Sequence, residues 1–85
     1  MITFNFIITD KLGIHARPAG LLVKIASKFS SHINITNGNK TADAKKLFAV
    51  MSLCVKCGDK ISICINGDDE KEAEAALCTF LNENL

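Results

Sequence analysis

The sequence predicts an α+β fold with the element order βαββαβα. Three segments alternate apolar and polar residues, which is the two-residue period of a half-buried strand, and a turn signal after the second of them predicts a further strand. Three other segments carry apolar residues at helical spacing. Because each strand has one clearly apolar face, we expect a four-stranded antiparallel sheet with three helices stacked on one face. The residue pattern alone leaves the order of the strands open.

The first predicted strand spans residues 2–8, where Ile and Phe alternate with mostly polar residues. A loop from about Asp10 leads to the first helix. Pro18 fits the first turn of that helix, because its missing N–H would have had no helical partner. The apolar stripe of the helix consists of Leu22, Ile25, Ala26 and Phe29.

A hairpin is predicted next. The second strand begins with Ile33 and Ile35, and Asn37-Gly38 is a strong signal for a type I′ turn. The third strand then falls near Lys40–Asp43.

The second half of the chain predicts helix, strand and helix. A short helix covers about 46–54, with Val50, Leu53 and Cys54 able to face the core, and Gly58 is a plausible helix-ending residue. The fourth strand spans 61–65. Asp69 and Glu72 have spacing like that of a capping box at the start of the last helix. The apolar stripe of this helix consists of Ala73, Ala76, Leu77, Phe80 and Leu81.

Length and composition indicate one small domain, residues 1–85, with 48% apolar residues to form a core without disulfides. The net charge of +1 argues against general nucleic-acid binding. No apolar run reaches the length of a membrane span, and no signal peptide is evident at the N-terminus. We therefore expect a cytoplasmic monomer that does not insert into the membrane, with reduced cysteines.

Charge is unevenly distributed. Residues 1–67 contain nine of the ten basic residues but only three of the nine acidic ones, and residues 68–85 contain the other six acidic residues and one lysine. One side is therefore expected to present a basic face to an acidic partner, while the last helix is acidic.

The most informative segment is Gly13-Ile14-His15-Ala16-Arg17-Pro18-Ala19. His15 stands at a predicted helix start, where free N–H groups and the positive end of the helix dipole favour an anion such as phosphate. A neutral imidazole is also a nucleophile. The segment thus suggests a phosphoryl group carried covalently on His15, with Arg17 as a clamp for its oxygens. The alternatives for His15 are an ordinary surface histidine or a weak helix N-cap. We interpret His32 as an ordinary surface histidine.

The segment resembles the active-site signature of HPr, the histidine-containing phosphocarrier protein of the bacterial phosphoenolpyruvate-dependent sugar phosphotransferase system. The resemblance continues through Asn37-Gly38, the run Leu47-Phe48-Ala49-Val50-Met51-Ser52-Leu53 and Gly58, and covers essentially the whole chain. It implies an open-faced β-sandwich with strands ordered first, fourth, second, third.

The same resemblance implies a function. Enzyme I would phosphorylate His15 on Nδ1, Arg17 and the backbone of Ala16 and Arg17 would hold the phosphoryl group, and sugar-specific IIA domains would receive it. The protein would be a recycled reactant rather than an enzyme, with no cofactor and no metal.

Leu47, Phe48 and Met51 are candidates for an exposed docking patch. An apolar helical stripe is ordinarily part of the core, but the resemblance implies docking through this helix and the helix after the active histidine. Gly20 belongs to the expected docking surface, and its lack of a side chain would suit the close approach of another molecule. Four lysines are expected around the patch: Lys24, Lys28, Lys45 and Lys46.

Lys46 departs from the family pattern. In HPr proteins of Gram-positive bacteria this position is commonly a serine that a dedicated kinase phosphorylates for carbon-catabolite control. Lysine has no hydroxyl group and carries the opposite charge, so that regulatory branch is in doubt here.

Two other function classes are compatible with parts of the sequence. One is a regulatory interaction module that uses the same surface and is switched by phosphorylation of His15. The other is a redox or metal module at Cys54 and Cys57, but Cys64 and Cys78 show no second paired spacing for zinc, and the pair falls near a helix end. We interpret all four cysteines as reduced, small hydrophobic residues or surface thiols.

Overall fold

A computed structural model describes residues 1–85 and contains the seven predicted elements. The strands are β1 (Ile2–Ile7), β2 (His32–Asn37), β3 (Lys40–Asp43) and β4 (Lys60–Asn66). The helices are α1 (Ala16–Ala26), α2 (Leu47–Ser52) and α3 (Glu70–Asn84).

The four strands form one antiparallel sheet in the order β1-β4-β2-β3. One inward-facing row runs across it, in which Phe4 pairs with Ile63, Ile63 with Ile35, and Ile35 with Ala42. Ile35 and Ile63 are completely buried. The predicted fold class and the strand order implied by the resemblance are both confirmed.

The helices cover the apolar face of the sheet. Leu22 from α1, Val50 from α2, and Leu77 and Leu81 from α3 are buried in the same cluster as the strand isoleucines. Full burial of each such side chain stabilises the fold by about 1.5–3 kcal/mol. None of the three helices combines the length and the apolar character needed to cross a bilayer.

The β2–β3 turn differs from the predicted type. Asn37 pairs with Lys40, so Gly38 and Asn39 are the central residues. Gly38 has a φ of +64° but Asn39 does not have a positive φ. A type I′ turn requires positive φ at both central residues, whereas glycine in the first central position is typical of type II′. The type I′ prediction was therefore wrong, because the strand register placed Asn37 in the ladder rather than in the turn.

The end of α2 also differs from the prediction. The helix ends at Ser52, and the left-handed residue that follows its C-cap is Cys54, with a φ of +51°. Gly58, with a φ of +92°, lies in the turn before β4 and does not end the helix. Because Cys54 occupies this turn, it is exposed, and the prediction that it could face the core was wrong.

Asp69 stands at the start of α3 but makes no side-chain capping bond to that helix. Its carboxylate instead accepts hydrogen bonds from the Ser31 hydroxyl, the Ser31 N–H (3.0 Å) and the Ser30 N–H (2.8 Å). These bonds, the Ser31 hydroxyl foremost, lower the pKa of Asp69 from 3.8 to about 2. Asp69 therefore ties the start of α3 to the start of β2 rather than forming the predicted capping box.

Candidate functional site

The start of α1 presents His15 together with two free backbone donors. His15 is the N-cap residue, and its carbonyl oxygen accepts the N–H of Ala19 at 2.9 Å while its imidazole makes no capping bond. Ala16 and Arg17 occupy the first two helical positions, and their N–H groups have no acceptor within the protein. Pro18 has no N–H to satisfy. His15 therefore directly precedes two backbone donors that remain free for an anion.

The loop before His15 is fixed by backbone contacts. Ile14 donates its N–H to the carbonyl oxygen of Val55 at 3.1 Å, and Gly13 donates to the carbonyl oxygen of Asp10 at 3.0 Å. Gly13 has a φ of +66°, and a Cβ added there would lie 2.2 Å from the Val55 oxygen. Only glycine fits this position, because both the conformation and the space exclude a side chain.

His15, Arg17 and Pro18 line the single cavity of the molecule, which has a volume of about 240 Å³. The other lining residues are Asp10, Leu21 and Asn84. The structure therefore brings the predicted acceptor and the predicted clamp together at one concave surface and adds three residues that the sequence did not single out as site residues.

The side chain of Arg17 is exposed and makes no ion pair or hydrogen bond. The first turn of α1 contains no acidic residue that would neutralise it. A free guanidinium can bind two oxygens of one phosphoryl group at the same time. The geometry is therefore suited to the clamp role predicted for Arg17.

Asp10 and Asn84 join the site through the fold. The N–H groups of Thr9 and Asp10 donate to the main-chain oxygen of Leu85, at 2.6 and 3.0 Å, which brings the end of α3 to the end of β1. The only local signal for Asp10 is its side-chain bond to the N–H of Leu12 at 2.8 Å, an Asx turn. No sequence pattern could have found Asn84, because its place depends on this long-range contact.

The predicted docking residues of α2 are at the surface. Phe48 is 84% exposed, Met51 37% and Leu47 36%, so all three were correctly expected outside the core. Helix α2 is in contact with α1, on which Leu21 is 42% exposed. We refer to Leu21, Leu47, Phe48 and Met51 as the apolar patch.

The lysines expected around the apolar patch divide into two groups. Lys24, Lys28 and Lys46 are exposed. Lys45 is half-buried and donates to the carbonyl oxygen of Phe29 at 2.8 Å, so it connects the segment after α1 to the segment before α2. The expectation that Lys45 belongs to a free basic rim was therefore wrong.

Gly20 and the remaining predicted residues are also placed by the structure. A Cβ on Gly20 would meet no atom within 4 Å, so no close contact inside this molecule requires glycine there. His32 is exposed at the first position of β2, as expected. Cys54 and Cys57 are exposed and all four cysteines are unpaired. The Cys54–Cys57 pair follows the end of α2, as the sequence indicated.

An open-faced β-sandwich that presents a histidine and a free arginine at the start of its first helix is the arrangement of a histidine phosphocarrier. Comparison with protein families gives the same result, because residues 2–83 match the model of the PTS HPr component phosphorylation site. The chain belongs to the HPr family of the phosphotransferase system.

Individual relatives are similar over most of their length. The phosphocarrier protein HPr of Mycoplasma capricolum is 46% identical over 77 residues, which are 91% of this chain and 86% of the relative. The solved structure of a Mycoplasma histidine-containing phosphocarrier protein superposes with a TM-score of 0.94 at 41% identity, covering 96% of this chain and 93% of the other. HPr of Thermoanaerobacter tengcongensis gives a TM-score of 0.93 at 42% identity, covering 98% and 93%.

Proposed function

We propose that this protein accepts a phosphoryl group from enzyme I on Nδ1 of His15 and passes it to sugar-specific IIA domains. The observation that carries the proposal is the position of His15 beside the free guanidinium of Arg17 and the two free N–H groups of Ala16 and Arg17. Family membership supplies the reaction class, and these residues supply a site able to take part in it.

The transfer uses the lone pair of the neutral His15 ring. As the bond from Nδ1 to phosphorus forms, the bond from phosphorus to the donor atom breaks, and the donor atom keeps the electron pair of that bond. The three phosphoryl oxygens move with the phosphorus, and no oxidant or reductant is needed. Transfer to the acceptor domain is the same step in reverse at His15, with the acceptor atom as the nucleophile.

Arg17 and the helix start are suited to stabilise the phosphoryl group without holding it too strongly. The two N–H groups and the helix dipole favour negative charge at this point. Arg17 is open to solvent, and water screens its attraction for the phosphoryl oxygens. A carrier needs such a balance, because it must release the group to the next protein.

The apolar patch and the exposed lysines Lys24, Lys28 and Lys46 support a docking role for α1 and α2. An exposed aromatic side chain such as Phe48 is suited to fill a pocket of a partner. Exposed lysines steer the approach of an acidic partner more than they raise affinity. The proposal includes a monomeric carrier acting in the cytoplasm, where its partner domains would meet it.

The test is reconstitution of the relay. The purified protein is incubated with enzyme I and phosphoenolpyruvate, and intact mass spectrometry follows the gain of one phosphoryl group; a IIA domain is then added. We expect phosphorylation that depends on enzyme I, followed by loss of the group from the carrier and its gain by the IIA domain. Phosphorylation without onward transfer to any of several IIA domains would contradict the carrier role and favour a regulatory module.

A further inference from the structure

Asp10 is a rigidly held acidic residue in the cavity of His15 and Arg17. Its N–H donates to the main-chain oxygen of Leu85 at 3.0 Å, and its carbonyl oxygen accepts the N–H of Gly13 at 3.0 Å. Its Oδ1 accepts the N–H of Leu12 at 2.8 Å. Because the backbone N–H, the backbone carbonyl and one carboxylate oxygen of Asp10 are all hydrogen-bonded, the side chain has little freedom to rotate out of the cavity.

The charge of Asp10 has no partner within the protein. The Arg17 guanidinium lines the same cavity, yet the two side chains form no ion pair. Oδ2 of Asp10 has no hydrogen-bond partner. A carboxylate beside a site for an anion opposes the binding that Arg17 and the helix start favour.

We propose that Asp10 sets the phosphoryl-transfer potential of His15, which is an inference that rests on the proposed function. Its negative charge repels the phosphoryl group once the group is on His15 and raises the free energy of the phosphorylated protein relative to the free one. The Asp10 carboxylate forms no hydrogen bond or ion pair with the His15 ring, so in this proposal it acts through its electric field in the cavity that both residues line. It therefore makes His15 a better donor and a poorer acceptor.

The reaction affected is reversible exchange between enzyme I and this protein. The phosphorus–nitrogen bond on His15 forms while the bond to the donor breaks, and the reverse step restores both partners. Asp10 forms no bond in either direction. Because it repels the phosphorylated state only, it changes the equilibrium constant of the exchange, which a purely structural residue would leave unaltered.

The test compares Asp10→Asn with Asp43→Asn. Asparagine can retain the bond from its side-chain oxygen to the N–H of Leu12, so the Asx turn is kept while the charge is removed. Asp43 makes the same turn to the N–H of Lys45 at 2.9 Å but is not among the residues that line the cavity, so it is a matched control. Each variant is mixed with phosphorylated enzyme I, and the ratio of phosphorylated to free protein is measured at equilibrium.

We expect Asp10→Asn to shift the equilibrium toward the phosphorylated protein by about three- to tenfold, a size typical of one partly screened charge. The shift should shrink as salt rises past roughly 0.15 M. Asp43→Asn should match the parent. The inference would be overturned if Asp10→Asn left the equilibrium unaltered. It would also be overturned if only Asp10→Ala, which breaks the Asx turn as well as removing the charge, shifted the equilibrium. Failure of the parent to become phosphorylated at His15 would instead overturn the proposed function.

Discussion

Ile14 donates its main-chain N–H to the carbonyl oxygen of Val55 at 3.1 Å, which ties the residue before His15 to the segment that follows α2. Gly13 allows this bond by packing its bare Cα against the backbone of Val55 and Lys56. The orientation of His15 therefore depends on a contact between segments about forty residues apart in sequence.

Gly13→Ala should destabilise the protein by about 2–4 kcal/mol, because it adds a left-handed alanine and a clash with backbone atoms. Gly38 is the matched control. It has nearly the same φ, +64° against +66°, but open space where a Cβ would lie. Gly38→Ala should therefore cost only about 1–2 kcal/mol, the cost of the positive φ without a clash. Urea unfolding of both variants measures the difference, and equal losses would contradict the close contact at Gly13.

Phe48→Ala should weaken partner binding at a small cost in stability, because the ring is 84% exposed. Removing a buried phenylalanine would cost about 3–5 kcal/mol. Phe80, which is 4% exposed, provides that comparison within the same chain. Thermal melting together with a binding titration against enzyme I distinguishes a loss of binding at an exposed Phe48 from a loss of stability at a buried ring. Unchanged affinity for Phe48→Ala would remove this residue from the docking surface.

Lys46→Glu should slow association with enzyme I, because Lys46 is exposed beside the apolar patch and its charge would steer an acidic partner. The difference from the parent should narrow above roughly 0.15 M salt, where the Debye length is about 8 Å. Lys71→Glu makes the same change of charge on the acidic helix α3 and serves as the control. Stopped-flow mixing measures the association rate constants. Equal rate constants for Lys46→Glu and Lys71→Glu would contradict the role of Lys46.

Asp69→Asn should reduce stability at neutral pH but have a progressively smaller effect in acid. The Ser31 hydroxyl, followed by the Ser30 N–H, lowers the pKa of Asp69 from 3.8 to about 2. The stabilisation from the ionised carboxylate is therefore present above pH 3.8 and is lost as the pH falls toward 2. Thermal melting of parent and variant across this range should show the gap closing. Asp68→Asn, at an exposed neighbour, is the control, and a gap that persists at pH 2 would contradict the assignment.

Strand positions and buried faces were predictable because alternation of apolar residues reports directly on a half-buried strand. The inward isoleucines of β2 and β4 and the exposed His32 all follow from that period. The part of the candidate site that comes from one short segment was predictable, because His15, Arg17 and Pro18 are close in sequence and line one cavity.

Two of the three features that sequence patterns missed depend on tertiary contacts. Asn84 lines the cavity because the end of α3 packs against the end of β1. Lys45 is half-buried because it donates a hydrogen bond to the carbonyl oxygen of Phe29. The end of α2 was placed too late because Cys54 adopts the left-handed conformation that glycine usually supplies. Local preference could not reveal these three outcomes.

The central claim is that His15 carries the phosphoryl group, and phosphorylation of single-histidine variants by enzyme I and phosphoenolpyruvate tests it most directly. Intact mass spectrometry should show one acid-labile phosphoryl group on the parent and on His32→Ala, and none on His15→Ala. Circular dichroism should show that His15→Ala keeps its fold, because the imidazole makes no hydrogen bond that stabilises α1. Full phosphorylation of a folded His15→Ala protein would contradict the account.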